Sequence, residues 1–172
     1  MNLPPAFHAV CERLNYPPTD HFLWVNVAEQ SLTHFLADDN PSLTISTSIH
    51  GTGQEMDSFK TPLGLHRVAE KIGEGELVGT IFKGRQPVGT NGKGNPEALI
   101  TDRILWLEGL EPGLNHGSSV DSYKRYIYIH GVGDESLLGQ PNSQGCIHLG
   151  AGDLLPLFDQ VPVGTLVFIS EN

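Results

Sequence analysis

From residue 21 onward the hydrophobic pattern becomes strand-like, with short runs of apolar residues and clear alternation at residues 43–49, and it predicts a series of short β-strands. Residues 22–27 and 31–36 form a predicted hairpin around Glu29 and Gln30. Further strands are predicted at residues 43–49, 65–69, 81–83, 104–107 and 126–129. Because the chain contains 20 glycines and 12 prolines but only 17% charged residues, we expect a turn-rich, mainly β fold.

The N-terminal segment departs from this pattern. Residues 3–15 have apolar positions at a helical spacing, and Pro4 and Pro5 stand where a helix begins. Cys11 lies in this apolar stretch without a glycine turn, so we predict that it packs in the core. The proline-rich residues 16–20 then interrupt the chain. The predicted division is an N-terminal helix with linker, 1–19, and one domain, 20–172.

A second helix is predicted near the C-terminus. Asp153 is a favourable N-cap residue, and residues 154–161 place apolar side chains on one helical face. Pro156 is expected in the first turn of this helix, where a missing N–H costs little.

The residues that suggest chemistry lie between the last two predicted strands. His130 and Gly131 follow the predicted strand 126–129, so we expect them at the end of a strand. Cys146 ends the turn-like string Ser143-Gln144-Gly145-Cys146. A thiolate is a nucleophile, and an imidazole within hydrogen-bond reach can generate it. The pattern therefore predicts a cysteine–histidine site for acyl transfer.

The string from residue 130 to residue 149 resembles the signature of the L,D-transpeptidase catalytic domain, also called YkuD: HG, a spacer, then [S/T]-x-G-C-x-R. Two positions differ, since Gln144 stands where many members have histidine or asparagine and His148 where most have arginine. Further similarity lies in the TPxG turn and in three strands, at residues 61–64, 22–27, 104–107 and 164–169. The resemblance implies an L,D-transpeptidase-type β-sandwich with a short N-terminal helix and a helix after the catalytic cysteine.

The resemblance also implies roles for individual residues. Cys146 is the implied nucleophile, which attacks the carbonyl of the third residue of a peptidoglycan stem and expels D-alanine. His130 is the implied proton carrier, and the Gly131 carbonyl is implied to fix its tautomer. The implied oxyanion donors are the amides of Gly145 and Cys146. Substrate contacts are implied for Tyr128, Ser143, Gln144 and His148. The family implies no metal and no cofactor, and it implies that a carbapenem acylates the thiol.

His148 is the departure with the clearest chemical consequence. Arginine is permanently charged, whereas histidine ordinarily titrates near neutrality. If His148 contacts the terminal carboxylate of the substrate, binding is expected to weaken as the pH rises through its pKa. A surface histidine without a role is the alternative.

The acceptor in the second step decides the activity, and here cellular location guides the expectation. Residues 1–8 have neither the basic nor the apolar part of a secretory signal, which favours a cytoplasmic bacterial protein. Its expected activity is L,D-carboxypeptidase trimming of soluble, recycled muropeptides. L,D-transpeptidation, which makes cross-links or exchanges D-amino acids, is the alternative.

Other partners and function classes were weighed on composition and spacing. A net charge of −10 argues against nucleic acid and anionic membrane surfaces, and no run approaches the roughly 18 apolar residues of a transmembrane helix. Zinc binding by His130, Cys146, His148 and His116 is a weaker reading, because C-x-H is not a usual zinc spacing. An inactive peptidoglycan-binding module is another. The glycine-rich residues 84–99 and 109–122 are either covers of the site or solvated loops.

Overall fold

The computed structural model describes residues 4–17, 19–36 and 40–172. Within these ranges it contains two α-helices, α1 (Pro5–Leu14) and α2 (Ala151–Gln160). Its ten strands are β1 (His21–Asn26), β2 (Ser31–Leu36), β3 (Ser42–Ser46), β4 (Gly64–Ile72), β5 (Ile81–Lys83), β6 (Gln86–Gly89), β7 (Thr101–Gly109), β8 (Tyr128–Gly131), β9 (Ile147–Leu149) and β10 (Leu166–Ser170). The mainly β fold is confirmed. The predicted helix start at residue 3, the segment 1–3 and the linker residue Pro18 lie outside the described residues.

The strands form one continuous sheet that closes on itself. Their order is β4-β10-β1-β2-β3-β9-β8-β7, and β4 also pairs with β7, which joins the two ends. The β5–β6 hairpin extends this ring from β7. Full closure leaves few unpaired strand edges, so the sandwich is a barrel-like sheet with a protected backbone.

Alternation along the strands separates an inner from an outer face. The inner face contributes Leu105, Leu107, Ile129 and Ile147 to the main core, which α2 completes with Leu154, Leu157 and Phe158. On the outer face of β7 and β8, the side chains of Ile104, Trp106 and Tyr128 pack with Phe82 of β5. The β5–β6 hairpin thus covers the outer face next to the candidate residues.

The N-terminal helix packs on another part of the sheet. Phe7, Val10 and Cys11 of α1 are buried against Phe22, Phe168 and other residues of β1 and β10. Burial raises the pKa of the Cys11 thiol to about 11, and Glu111 adds to the effect. Cys11 is therefore a packing residue, as predicted, while the division of the chain at residue 20 stays a prediction.

Two of the differences between predicted and observed strands lie near the candidate residues or in the glycine-rich segment 84–99. The strand predicted at residues 126–129 begins at Tyr128 and continues through Gly131. Tyr126 instead has a left-handed backbone with φ +58, and its N–H donates to the carbonyl of Tyr123 in a turn. The segment 84–99, predicted to lack regular structure, contains β6, which pairs with β5. Exposed residues such as those of β6 show no apolar alternation, so the pattern did not indicate a strand.

The prediction that Asp153 caps the second helix is wrong. Helix α2 starts at Ala151, so Asp153 lies in its first turn and Pro156 lies inside the helix. The N–H of Ala151, which has no partner within the helix, donates to the Glu135 carboxylate at 2.7 Å. A carboxylate from a distant loop thus replaces the local cap, because it satisfies the same orphan donor and opposes the helix dipole.

Candidate active site

The two strands that carry the candidate residues are direct neighbours. β8 and β9 run parallel, with His130 opposite His148. Cys146 is the residue before β9, so it lies beside the start of β8 although residues 132–145 separate the strands in the sequence. The parallel pairing therefore brings Cys146, His130 and His148 together.

The Cys146 thiol is half-buried and held by backbone groups of the neighbouring segment. Its Sγ accepts the N–H of Tyr128 at 3.4 Å and lies 3.4 Å from the carbonyl oxygen of Tyr126, to which the S–H can donate. Burial raises the pKa of this thiol to about 11, while the Tyr128 amide and the nearby Arg125 guanidinium act in the opposite direction. At neutral pH the resting group is therefore a thiol.

His130 is buried and oriented by a backbone oxygen. Its Nδ1 lies 2.8 Å from the carbonyl oxygen of Gly131, so Nδ1 carries the proton and Nε2 is left as an acceptor. Burial lowers the pKa of this histidine to about 4, although the Gly131 carbonyl favours the cation. The ring is thus a neutral base at neutral pH. Among the described residues no hydrogen bond joins it to Cys146 in this arrangement.

Gly131 cannot be another residue without rearrangement. A Cβ at this position would lie 2.7 Å from the Thr101 carbonyl oxygen and 2.8 Å from the Asp102 carboxylate. The β7 backbone therefore approaches β8 closely, and the glycine of the HG pair keeps the carbonyl next to the His130 ring.

The turn before the thiol has its own internal hydrogen bonds. The Ser143 hydroxyl accepts the N–H of Gly145 at 3.1 Å and donates to the carbonyl of Cys146. Gly145 has φ +114, a conformation that favours glycine, and its carbonyl accepts the Thr61 hydroxyl at 3.1 Å. Because the Gly145 amide is already bonded, the Cys146 amide is the remaining predicted oxyanion donor.

His148 lies beside His130 on the outer face. Their ring centroids are 4.9 Å apart. Burial, and then the neighbouring His130, lower the pKa of His148 to about 3. This differs from the expected titration near neutrality, because the strand pairing places the ring against another histidine rather than in solvent. In the free protein, His148 is a neutral side chain over the physiological range.

A cavity of about 580 Å³ contains the three candidate side chains. Ser143 and Gln144 also line it, and the Oε1 of Gln144 lies 3.2 Å from the Nε2 of His50. The remaining lining residues are Pro96, Ala98, Leu99, Ile100, Val132, Asp134, Leu137 and Asn142. Most are apolar, which suits a ligand with few polar contacts away from the thiol.

Tyr128, one of the implied substrate contacts, does not line this cavity. Its side chain packs in the outer-face cluster with Trp106, and its hydroxyl accepts Nη1 of Arg85 at 3.3 Å. Its contribution near the thiol is the backbone amide. Sequence analysis did not single out Arg85, Arg125 or Asp134. Of these three, only Asp134 could have been identified from the sequence, because it lies in the spacer of the signature between Gly131 and Ser143.

The two glycine-rich segments differ in their relation to the cavity. Residues 96–99 form one of its walls, so the first segment borders the candidate site. The second segment holds β4 instead: Glu111 accepts the N–H of Leu65 at 2.7 Å, and Asn115 donates to the Leu65 carbonyl at 3.1 Å. Its His116 is exposed and does not line the cavity.

Two further observations concern metal and membrane. In the described parts of the chain, no three His, Cys, Asp or Glu side chains are grouped so as to hold a metal ion. The zinc reading therefore has no ligand cluster there to support it. Neither described helix has the length and apolar character needed to cross a bilayer.

Comparisons with known proteins identify similar sequences and similar folds. The sequence profile of the L,D-transpeptidase catalytic domain (YkuD) matches residues 20–169. A protein of Salmonella typhimurium named a probable L,D-transpeptidase, ErfK/SrfK, is 30% identical over 150 residues, which are 86% of this chain and 43% of that protein. The chain thus spans less than half of this relative's length.

Solved structures share the fold at lower identity. L,D-transpeptidase 3 from Mycobacterium tuberculosis, in complex with a faropenem-derived adduct, has a TM-score of 0.56 at 15% identity, over 88% of this chain and 60% of that one. An L,D-transpeptidase from Mycobacterium smegmatis has a TM-score of 0.55 at 16% identity, over 88% and 58%. At these identities the similarity concerns the fold.

Proposed function

The chain belongs to the L,D-transpeptidase catalytic-domain (YkuD) family, and from this premise we propose that it forms a thioester between Cys146 and the tetrapeptide stem of peptidoglycan. The observation that carries the proposal is the shared cavity of Cys146 and His130, in which the Gly131 carbonyl holds the His130 ring in one tautomer. This is the arrangement that a thiol and a general base need for acyl transfer.

The first step uses a neutral pair. Sγ of Cys146 attacks the carbonyl carbon of the third stem residue while Nε2 of His130 accepts the thiol proton. The new S–C bond makes a tetrahedral oxyanion, which the Cys146 amide stabilises. Collapse breaks the C–N bond, and His130 returns the proton to the leaving nitrogen of D-alanine. Because the resting pair is thiol and imidazole, the proton moves during the attack rather than before it.

We propose water as the principal acceptor, which makes the activity an L,D-carboxypeptidase. Cys146 is half-buried rather than sealed, so water reaches the thioester without a dedicated binding site. Water gives one proton to His130 and its oxygen to the acyl carbon, and the thiolate leaves and recovers that proton. The products are a tripeptide stem and D-alanine.

The test is incubation of the protein with a soluble disaccharide-tetrapeptide, followed by mass spectrometry, with and without an added D-amino acid. Loss of D-alanine in water alone supports the carboxypeptidase. Exchange of the terminal residue, or dimer formation, without net hydrolysis contradicts water as the acceptor. No turnover by wild type, with Cys146→Ala as blank, counts against the acyl-enzyme itself.

An amine acceptor is the second candidate, because Asp134 supplies a carboxylate to the cavity lining. Its Oδ1 accepts the N–H of Ser136 at 3.0 Å, so the side chain is oriented yet exposed. A carboxylate there attracts the ammonium group of an acceptor peptide, and the relative from Salmonella typhimurium is named for transpeptidation.

Asp134→Asn separates the two acceptors. If an amine is used, its KM is expected to rise roughly two- to tenfold, while hydrolysis in water stays the same. Asp159→Asn, an equal charge change on the exposed face of α2, is the matched control. Equal effects of both variants on the amine KM contradict a role for Asp134.

We also propose that a carbapenem acylates Cys146, in line with the structure of the L,D-transpeptidase LdtMt1 in complex with the carbapenem imipenem. Opening of the β-lactam ring adds the whole inhibitor mass to the protein. Intact-protein mass spectrometry of wild type and Cys146→Ala tests this, and an equal mass increase in both proteins contradicts it.

A further inference from the structure

A second group of residues adjoins the thiol outside the cavity. Arg85, at the turn between β5 and β6, lies over aromatic rings of the outer face, with its guanidinium 4.7 Å from the ring centroid of Trp106 and 5.2 Å from that of Tyr126. Tyr123 stacks on Trp106 at 4.1 Å. We call the rings of Trp106, Tyr123, Tyr126 and Tyr128 the aromatic platform.

The aromatic platform and the thiol share backbone. Tyr126 and Tyr128 contribute the carbonyl and the amide that contact Sγ of Cys146 at 3.4 Å. Cys146 itself packs against the cluster that includes Trp106 and Tyr128. Tyr128 thus connects the two groups, since its amide contacts the thiol and its hydroxyl accepts a hydrogen bond from Arg85, and a peptide whose third residue lies at Cys146 is close to this guanidinium.

Arg85 has donors that the protein does not use. A guanidinium has five N–H groups, and the hydrogen bond of this one is to the Tyr128 hydroxyl at 3.3 Å. Within the described residues it has no ion pair. The carboxylate of Glu70, which is close enough to influence it, accepts the hydroxyl of Tyr123 instead. Its other N–H groups thus remain available to a ligand.

Arg125, the other arginine near the thiol, is committed to the protein. Its Nη1 donates to the carbonyls of Gly53 and Gln54 at 3.2 and 2.9 Å, and its Nη2 donates to the Lys60 carbonyl at 2.6 Å. These bonds hold the segment 53–60 against the turn at residues 123–126, to which Arg125 belongs. A ligand cannot take these donors without releasing that segment.

The two histidines do not supply positive charge either. Burial keeps the pKa of His130 at about 4 and that of His148 at about 3. The proposed substrate is nonetheless anionic, since a stem tetrapeptide ends in a carboxylate. With an overall charge of −10, the protein needs a local cation to attract it.

Resting on the proposed function, we propose that Arg85 binds a free carboxylate of the intact stem tetrapeptide while the carbonyl of its third residue lies at Cys146. Aromatic rings hold the guanidinium flat by cation–π contact and leave its edge open for a bidentate carboxylate. Arg85 also has a left-handed backbone, φ +66, at a turn where glycine or asparagine is more usual. The turn alone does not select arginine here.

Binding to an inert protein tests this without turnover. We would measure the Kd of a stem tetrapeptide for Cys146→Ala by calorimetry, then add Arg85→Gln or Arg85→Lys. The expected Kd rises roughly ten- to hundredfold for glutamine and by less for lysine, which keeps the charge but not the fork. Lys83→Gln is the matched control, an equal charge change at an exposed position of the same hairpin, and its Kd is expected within about twofold.

Amidation of the peptide identifies the carboxylate. Amidating the group that Arg85 binds should weaken binding by the factor that Arg85→Gln costs, after which Arg85→Gln should cost nothing more. The inference is overturned if Arg85→Gln behaves like Lys83→Gln, if its cost is equal for every amidated peptide, or if Cys146→Ala binds no tetrapeptide. Turnover by the protein with intact Cys146 tests the proposed function separately. Arg85-dependent binding without turnover would contradict the proposed function and would leave the Arg85 site supported.

Discussion

Two histidines of this fold, His66 and His130, have similar surroundings and differ in what their second ring nitrogen faces. Each has Nδ1 against a backbone carbonyl, that of Gly64 at 3.0 Å for His66 and that of Gly131 at 2.8 Å for His130. Burial lowers both pKa values to about 4. The Nε2 of His66, however, lies 2.9 Å from the Ser122 hydroxyl in a fully buried pair.

The difference shows that a held tautomer and a lowered pKa do not identify a catalytic histidine. His66 and Ser122 have the residue types of a hydrolase pair, yet both are completely buried. His130 has the same backbone support, and it lines a cavity of about 580 Å³ with Cys146. Access of the second nitrogen to a cavity is what distinguishes the two sites, and it allows direct tests.

The largest expected effect is at the thiol. Cys146→Ala removes the nucleophile, so release of D-alanine is expected to fall by roughly 10³-fold or more, with little change in unfolding free energy because the residue is half-buried. Cys11→Ala is the counterpart in the core: it should cost roughly 0.5–3 kcal/mol of stability and leave kcat unchanged. Retained activity in Cys146→Ala would contradict a mechanism with Cys146 as the nucleophile.

The comparison of the two histidines is tested by matched substitutions. His130→Gln removes the base, so kcat is expected to fall roughly 10²-fold or more. Its unfolding free energy should fall by less than that of His66→Gln, because the His130 ring loses one hydrogen bond and the His66 ring two. His66→Gln leaves Ser122 and the Gly64 carbonyl with altered partners, so unfolding free energy is expected to fall by about 1–3 kcal/mol with kcat per folded molecule unchanged. Activity assays and urea titrations of both variants measure the two effects, and loss of kcat in a folded His66→Gln would reverse the assignment.

The lowered pKa values make a prediction for stability against pH. The usual histidine value of 6.5 applies to the unfolded chain, and about 4 applies to His66 and His130 in the folded one. Between these values the unfolded chain binds more protons than the folded one, so the unfolding free energy falls as the pH falls through this window. The stabilising contribution of the two neutral histidines is fully present above pH 6.5. In His66→Gln one of these groups is gone, and the dependence should be shallower. Urea titrations from pH 7 downward measure it; equal slopes in the two proteins contradict a depressed pKa for His66.

Much of the fold could be predicted where strands are rich in apolar, β-branched and aromatic residues. The hairpin of β1 and β2 and the strand β5 lie where the pattern placed them. β6 is exposed and β9 has only three residues, so neither has a readable period. The start of α2 depends on Glu135, which a local reading cannot bring to Ala151. Long-range contacts thus account for the misplaced boundaries.

The sequence predicted which residues form the candidate site, but it did not predict their pKa values. The spacing of His130 and Cys146 indicated that they meet, because the signature combines them on one motif. Their pKa values depend on burial by β7 and the β5–β6 hairpin, which no local pattern describes. The aromatic platform and Arg85 arise in the same way, from two strands, β7 and β8, and two turns that meet on the outer face.

The smallest expected effect concerns His148, and it sharpens what sets His130 apart. His148 shares the cavity with His130, but its pKa of about 3 leaves it neutral above that pH. The expected binding of a stem tetrapeptide therefore does not weaken between pH 5 and pH 8, and His148→Gln should change Kd and kcat by no more than about threefold. Calorimetry across this range on the Cys146→Ala background measures Kd. If affinity instead falls through a pKa near 6.5, and His148→Gln abolishes that fall, His148 is a cationic carboxylate ligand in the complex. In that case the carboxylate of the substrate raises the pKa of His148 enough to protonate it, although burial keeps the ring neutral in the free protein. A histidine that lines the cavity could then act as a cation as well as a base.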